Sequence, residues 1–124
     1  ACMRDDVVQL IDLAPTIAAL FGVTPPQAWK GRSLVPALEC KVASALAPQP
    51  AFSELLRAPE WDHEAKSMIS ADGKRHVFYR ISDSRWEIYD LEKDPAEQTD
   101  IAGSDPKATE LEQQMAHWIE GLAK

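Results

Sequence analysis

Between Arg57 and Lys66 the sequence reads RAPEWDHEAK, which gathers a guanidinium (Arg57), an indole (Trp61) and an imidazole (His63) into one short stretch. Such a set can hold an anionic or carbohydrate-like ligand, the cations by charge and the ring by stacking. The plainer reading of the stretch is a connection whose Trp61 packs down and whose charges are solvated, and it carries more weight. Elsewhere reactive groups are sparse. His63, His76 and His117 stand in no nucleophile context and at no metal-ligand spacing, so each reads as a surface or satisfied side chain. Cys2 and Cys40 fit no metal spacing and read as free thiols, an incidental disulfide being the lesser alternative. Asp5-Asp6 is the one adjacent acidic pair and reads as a solvated segment rather than half of a cation site.

The bulk properties narrow the partners. A chain of 124 residues suits one domain that buries a core without metal or disulfide staples. Its 45% hydrophobic and 27% charged residues are ordinary globular values. A formal charge of -7 argues against nucleic acid or an anionic membrane, which need clustered Lys and Arg to displace counterions. No run approaches the roughly 18 to 20 apolar residues of a membrane span, and the opening ACMRDD lacks the charged-then-apolar order of a signal peptide. No membrane contact by this chain is expected, and its compartment stays unknown.

The elements that must position these groups fall in two parts. Val7, Val8, Leu10 and Ile11 form an extended approach to a short amphipathic helix. Asp12 is predicted as its N-cap, Pro15 lies in the first turn, Ile17, Leu20 and Phe21 recur at helical spacing, and Gly22 is the stop. Thr24-Pro25-Pro26 forces a turn, after which Gly31-Arg32-Ser33 leads into a brief helical segment with Ser33 as N-cap. Beyond an Ala-, Ser- and Pro-rich connection, Ala51–Leu56, Ser67–Ala71, Arg75–Ile81 and Trp86–Leu91 are predicted strands. Asp72-Gly73 signals a two-residue hairpin, Ser82-Asp83-Ser84 a less sharp turn, and the first strand adds along one edge. Asp105-Pro106 is predicted to open a last helix, whose Leu111, Met115, Trp118 and Leu122 make an apolar stripe for the sheet. The fold class is therefore α+β: a small antiparallel four-stranded sheet packed by a C-terminal helix, preceded by a short helical N-terminal segment.

Two stretches of this framework carry a family resemblance. EIYDLEKDPAEQTDIA, containing Tyr89, Asp90, Asp94 and Pro95, resembles the closing signature of the type I sulfatases, in the alkaline-phosphatase superfamily. DLAPTIAALFGV, with Asp12, Pro15 and Thr16, followed by GRSLVPAL, with Gly31, Arg32 and Ser33, resembles that family's Asp-x-x-Pro-Thr helix and Gly-Arg-Ser-Leu turn. The resemblance implies the C-terminal region of a sulfatase, residues 1–50 ending the catalytic-domain region and 51–124 forming a C-terminal subdomain. The full-length parent would hydrolyse sulfate esters through a formylglycine made in a Cys-x-Pro-x-Arg-like context, with calcium held by oxygen ligands. Cys2 is followed by Met-Arg-Asp-Asp and Cys40 by Lys-Val-Ala-Ser, so neither nucleophile, metal ligand nor bound cofactor is expected here. The ten motif residues are given structural roles: Asp12 capping a helix, Arg32 pairing with a carboxylate or carbonyl at the seam with the missing catalytic domain, and Tyr89 and Asp90 fixing the Asp94-Pro95 corner. Arg57, Trp61 and His63 are implied at the substrate rim, because the family's C-terminal subdomain lends loops to it.

Relatives that cleave phosphonate or phosphate esters share this tail, so reaction at phosphorus is one alternative. A stand-alone α+β interaction module is another. The region from Val7 to Leu34 has little of its own to pack on, which predicts an exposed apolar patch around Val8, Leu10, Leu20 and Phe21 if a catalytic domain is missing, open to self-association in isolation. An independent module should instead hide Phe21 and Trp29.

Overall fold

The computed structural model describes residues 3–39, 46–59 and 63–122. The chain divides into two compact units, Ala1–Gln49 and Pro50–Lys124.

In the first unit a 3₁₀ turn, Leu10–Asp12, runs directly into helix α1, Leu13–Leu20, and a single turn, α2, spans Val35–Leu38. The 3₁₀ turn occupies the end of the stretch predicted as extended, and it changes the job of Asp12. That carboxylate closes the turn before the helix, accepting the Gln9 N–H at 3.0 Å, and makes no N-cap bond to α1. Gly22 ends α1 as predicted: with φ at 70° it lets the Gly22 N–H reach the Ala19 carbonyl (3.1 Å) and the Val23 N–H the Ala18 carbonyl (2.8 Å). Those two bonds satisfy carbonyls that a helix end leaves orphaned.

The second unit is an antiparallel sheet in the order β1-β2-β3-β4, with β1 Ala51–Leu55, β2 Ala65–Ile69, β3 Arg75–Arg80 and β4 Arg85–Asp90, followed by helix α3, Ala108–Leu122. Register places Phe52, Met68, Val77 and Ile88 in one row across all four strands. Because side chains alternate along a strand, that row lies on one face, and Ala108, Leu111 and Met115 of α3 complete the core with it. Met68, Val77, Ile88 and Met115 are fully buried, and Phe52 stacks on Trp118 of α3 with ring centroids 4.6 Å apart. Leu122, counted in the predicted stripe, is exposed in the helix's last turn.

Strands β1, β3 and β4 fall within one residue of the expected bounds, while strand β2 and helix α3 differ by more. Strand β2 starts at Ala65 and ends at Ile69, because Ser70 belongs to the turn: its backbone pairs with Arg75 and its hydroxyl accepts the Arg75 N–H at 2.9 Å while donating to Asp72 Oδ1 at 2.6 Å. Gly73 has positive φ but Asp72 does not, so the tight two-residue hairpin gives way to a longer loop held by Ser70 and Asp72 side chains. Helix α3 begins at Ala108 rather than at Asp105-Pro106, because Asp105 first closes a turn of its own. Its carboxylate accepts the Lys107 N–H (2.8 Å) and its carbonyl the Ala108 N–H (3.0 Å). That same buried carboxylate pairs with Arg75, whose guanidinium also reaches Asp90 at 3.2 Å, so one cation ties β3, β4 and the start of α3.

Burial pushes the Asp100 and Asp105 carboxyls up. Backbone donors, from Ala102 and Ile88 to Asp100 and from Lys107 to Asp105, together with Arg85 and Arg75, outweigh it and hold both below the usual carboxylate range. The Ser70 hydroxyl is the main cause of the same direction at Asp72. A carboxyl depressed on folding binds its proton more readily in the unfolded chain. Its stabilisation is therefore complete above the ordinary carboxylate range and is lost as pH falls through the depressed values. The urea midpoint read by circular dichroism is expected to fall below about pH 4. Asp100→Asn keeps an acceptor but not the charge, and should flatten that fall.

Candidate functional site

The residues singled out by sequence assemble into two backbone-capturing clusters, one in each unit. In the first, the Asp12 carboxylate is buried and uses both oxygens: Oδ2 takes the Gln9 N–H and Oδ1 takes the Arg32 N–H at 2.9 Å, across 20 residues. Thr16, one helical turn on, donates from Oγ1 to the Asp12 carbonyl at 2.6 Å and accepts the Leu34 N–H at 2.8 Å. The Asp-x-x-Pro-Thr spacing thus puts two acceptors on one side of α1, and the Gly-Arg-Ser-Leu turn supplies the two donors they need. Gly31 has to be glycine, since a Cβ there would collide with the Ile11 carbonyl. Pro15 is buried within the first turn of α1.

Arg32 donates to the Val7 carbonyl at 2.9 Å and to the Ala47 carbonyl. Its partners are carbonyls, one of the two kinds expected, and both lie within the first unit. Ser33 accepts the Val35 N–H at 3.3 Å, one residue ahead of the position that would cap α2, where Leu34 stands.

In the second unit three aspartates do the same work. Asp90 Oδ1 accepts the Glu92 and Lys93 N–H groups at 3.1 and 3.2 Å, turning the chain out of β4. Asp94 Oδ2 accepts Gln98 and Thr99 N–H, both at 2.8 Å, closing the loop over Pro95. Asp100 Oδ1 accepts Ile88 N–H at 3.1 Å and Ala102 N–H at 3.0 Å, while Ile101 N–H donates to the Ile88 carbonyl at 2.8 Å. The returning segment therefore covers the outer edge of β4, where unpaired backbone groups would otherwise recruit another strand. Tyr89 departs from expectation: its hydroxyl donates to Glu87 Oε2 at 3.2 Å and not to the corner, since its side chain lies on the face opposite α3.

Sequence reasoning left Asp100 and Glu97 outside the named residues. Asp100 had a readable signal, an acidic side chain placed just before the apolar Ile101 that returns to the sheet. Glu97 had only its place in the signature. Its carboxylate lies 2.7 Å from His76 Nδ1, a contact between positions 21 residues apart that no local pattern announces.

Of the rim residues, Arg57 and His63 are exposed in the β1–β2 connection, and Trp61 lies outside the described residues. Among the described residues no group of three or more His, Cys, Asp or Glu could hold a metal ion. The described residues do not fit the calcium site that the resemblance implies, and neither cysteine sequence fits formylglycine, so no chemical step is routed through these groups here. No helix of the described chain is long and apolar enough to cross a membrane.

Comparison with known proteins agrees with this geometry. Residues 1–124 match the family described as N-sulphoglucosamine sulphohydrolase, C-terminal, and the chain belongs to that family of sulfatase C-terminal domains. Among individual proteins, it is 28% identical over 123 residues to Arylsulfatase K of Xenopus laevis, covering 88% of this chain and 22% of that protein. Among solved structures, a 2-O GAG sulfatase, BT1596, superposes with a TM-score of 0.65 at 21% identity, over 90% of this chain and 23% of the other. BT4656, solved with its substrate D-glucosamine-2-N,6-O-disulfate, does so with a TM-score of 0.68 at 23% identity and the same coverage of both chains. The chain thus spans under a quarter of the length of the relatives it matches.

The Thr16 bridge gives a direct test. Thr16→Val removes the hydroxyl that links Asp12 to Leu34 and leaves the partly buried Leu34 N–H without its acceptor, a cost of roughly 2 kcal/mol. Amide exchange at Leu34 is expected to accelerate at least about tenfold in Thr16→Val and to stay near the parent rate in Thr16→Ser.

Proposed function

We propose that this chain is the C-terminal portion of a sulfatase polypeptide, that the region preceding it carries the nucleophile and metal ligands, and that its own role is to complete and cover that catalytic domain. The observation that carries this reading is the apolar surface of the first unit. Leu10 is 85% exposed, Phe21 80% and Leu20 62%, with Val8, Leu13 and Ile17 about half exposed beside them in sequence. Soluble monomers rarely leave so many large apolar side chains of one short segment in water. The relatives offer an occupant, since more than three quarters of their length lies outside the matched region. A stand-alone module would be expected to bury Phe21 and Trp29, and Trp29 too is 45% exposed.

On this reading residues 1–50 are the end of the catalytic-domain region and 51–124 the C-terminal subdomain. The parent reaction is hydrolysis of a sulfate ester by formylglycine with a bound calcium ion, both supplied by the preceding region. This chain alone is inert. The motif residues Asp12, Thr16, Gly31, Arg32, Asp90 and Asp94 act structurally, holding the two units in shape. Arg57, Trp61 and His63 border the substrate entrance, where their cations and indole suit a sulfated sugar.

Expressed alone, the chain should bind a hydrophobic dye such as ANS and self-associate, and Leu20→Ser with Phe21→Ser should reduce both signals severalfold. Joined to the preceding region in one polypeptide, it should lose the dye signal without any substitution. A monomeric chain that binds no dye when expressed alone would count against the reading.

A further inference from the structure

We propose that the sheet face opposite α3 is a second docking surface, which seats on an apolar, uncharged part of the region that precedes residue 1. The inference rests on the reading above that such a region exists. Strand alternation puts Ser53 and Leu55 of β1, Ser67 and Ile69 of β2, and Phe78 of β3 on that face. Helix α3 packs on the other side, and among the described residues no other helix of this unit lies over them. An antiparallel sheet that meets water alternates apolar residues with polar and charged ones. Here the outward positions of β1 and β2 hold only Ala, Ser, Leu and Ile. A hollow of about 240 Å³ lies among them, lined on this face by Ser53, Leu55, Ala65, Ser67 and Phe78. Small side chains make its floor, and Phe78 is held by His76 at 4.0 Å between ring centroids and by Tyr89, edge-on at 6.0 Å.

The outer surface of α3 has the opposite character. Its exposed positions include Glu110, Gln113, Gln114, His117 and Glu120, and the helix carries no lysine or arginine. One side of the unit is thus finished for water and the other is not. The charged residues of the open face, Arg80, Arg85 and Glu87, gather at one corner and pair among themselves, with Glu87 3.7 Å from Arg80 and 3.2 Å from Arg85. They need no charge from a partner, and interface centres are depleted of charge and rich in aromatic rings in the same way. Size decides between occupants. Three strands about five residues long cover roughly 14 Å by 16 Å, on the order of 230 Å², against ~800 Å² per partner in a standard stable complex. A face that small does not hold a second copy or a separate protein against the entropy of association. A tethered part of the same polypeptide meets far less of that entropy, because the linking chain sets its effective concentration. More than three quarters of the relatives' length lies outside the matched region, which is chain enough to supply the cover. Leu55 and Ala65 bracket the connection that carries Arg57 and His63, so seating the face also fixes the base of that connection.

The test is hydroxyl-radical footprinting of the 124-residue chain alone and of the polypeptide that joins it to the preceding region. Leu55 and Phe78 should be labelled at least about fivefold more slowly in the joined polypeptide, while His117 on the outer side of α3 keeps its rate. Protection of Leu20 and Phe21 without protection of Leu55 and Phe78 overturns this inference and leaves the reading of the first unit standing. Protection of neither pair overturns both. Protection of Phe78 that appears in the chain alone as its concentration is raised assigns the face to a second copy and overturns the inference too. Ser67→Arg supplies a second reading, because it sets a charge on the floor of the hollow at a half-open position. The chain alone should keep its circular dichroism and urea midpoint, whereas Phe78 labelling in the joined polypeptide should return to within about twofold of that in the chain alone. Labelling that stays slow in the joined Ser67→Arg polypeptide would mean that nothing seats on the hollow.

Discussion

A main-chain N–H in a connection has no ladder to join, and burying it without a partner costs about 1–3 kcal/mol. In this chain aspartate carboxylates meet that constraint. Asp12, Asp90, Asp94 and Asp100 each accept backbone donors two to twenty residues away, and Asp72 and Asp105 close the turns that lead into β3 and α3. A carboxylate suits the task because it offers several acceptor sites and no competing donor. Much of the formal negative charge that looks like a solvated surface in composition is thus structural, which is why the partners it excludes are clearer than any partner it implies.

The core was legible because it obeys two periods. Phe52, Met68, Val77 and Ile88 alternate out of their strands onto one face, and Leu111 and Met115 recur on α3 to cover them. Gly22 announced the end of α1 for a reason that is purely local, its freedom at positive φ. The sequence was less informative where side chains reach across the fold. Asp12 looked like a helix cap, because nothing local says that a 3₁₀ turn comes first and that Arg32 will deliver its N–H to the second oxygen. The Asp72-Gly73 pair looked like a two-residue hairpin, because the Ser70 hydroxyl that supports a longer loop is ordinary in any strand end. The family signature places Tyr89 at the corner, whereas strand alternation turns it to the face opposite α3, where it meets Glu87.

The candidate site divides in the same way. Its structural motifs could be read because each is a compact spacing of acceptors and donors, and the family match over the whole chain agrees with them. The rim of Arg57, Trp61 and His63 rests on residue types and on the family resemblance. What links the fold to the proposed function is the exposed apolar surface of Leu10, Leu20 and Phe21, together with a family match whose relatives are much longer than this chain. A surface of that kind makes physical sense once another part of the molecule lies over it.

The most direct test is to read the source genome in frame upstream of residue 1. A Cys- or Ser-x-Pro-x-Arg segment several hundred residues earlier, with a Lys and a His between it and Asp12, is the result predicted for a polypeptide whose catalytic domain this chain completes. A reading frame that opens at or near Met3 with no such segment would contradict the account and leave a free-standing domain with an uncovered apolar face.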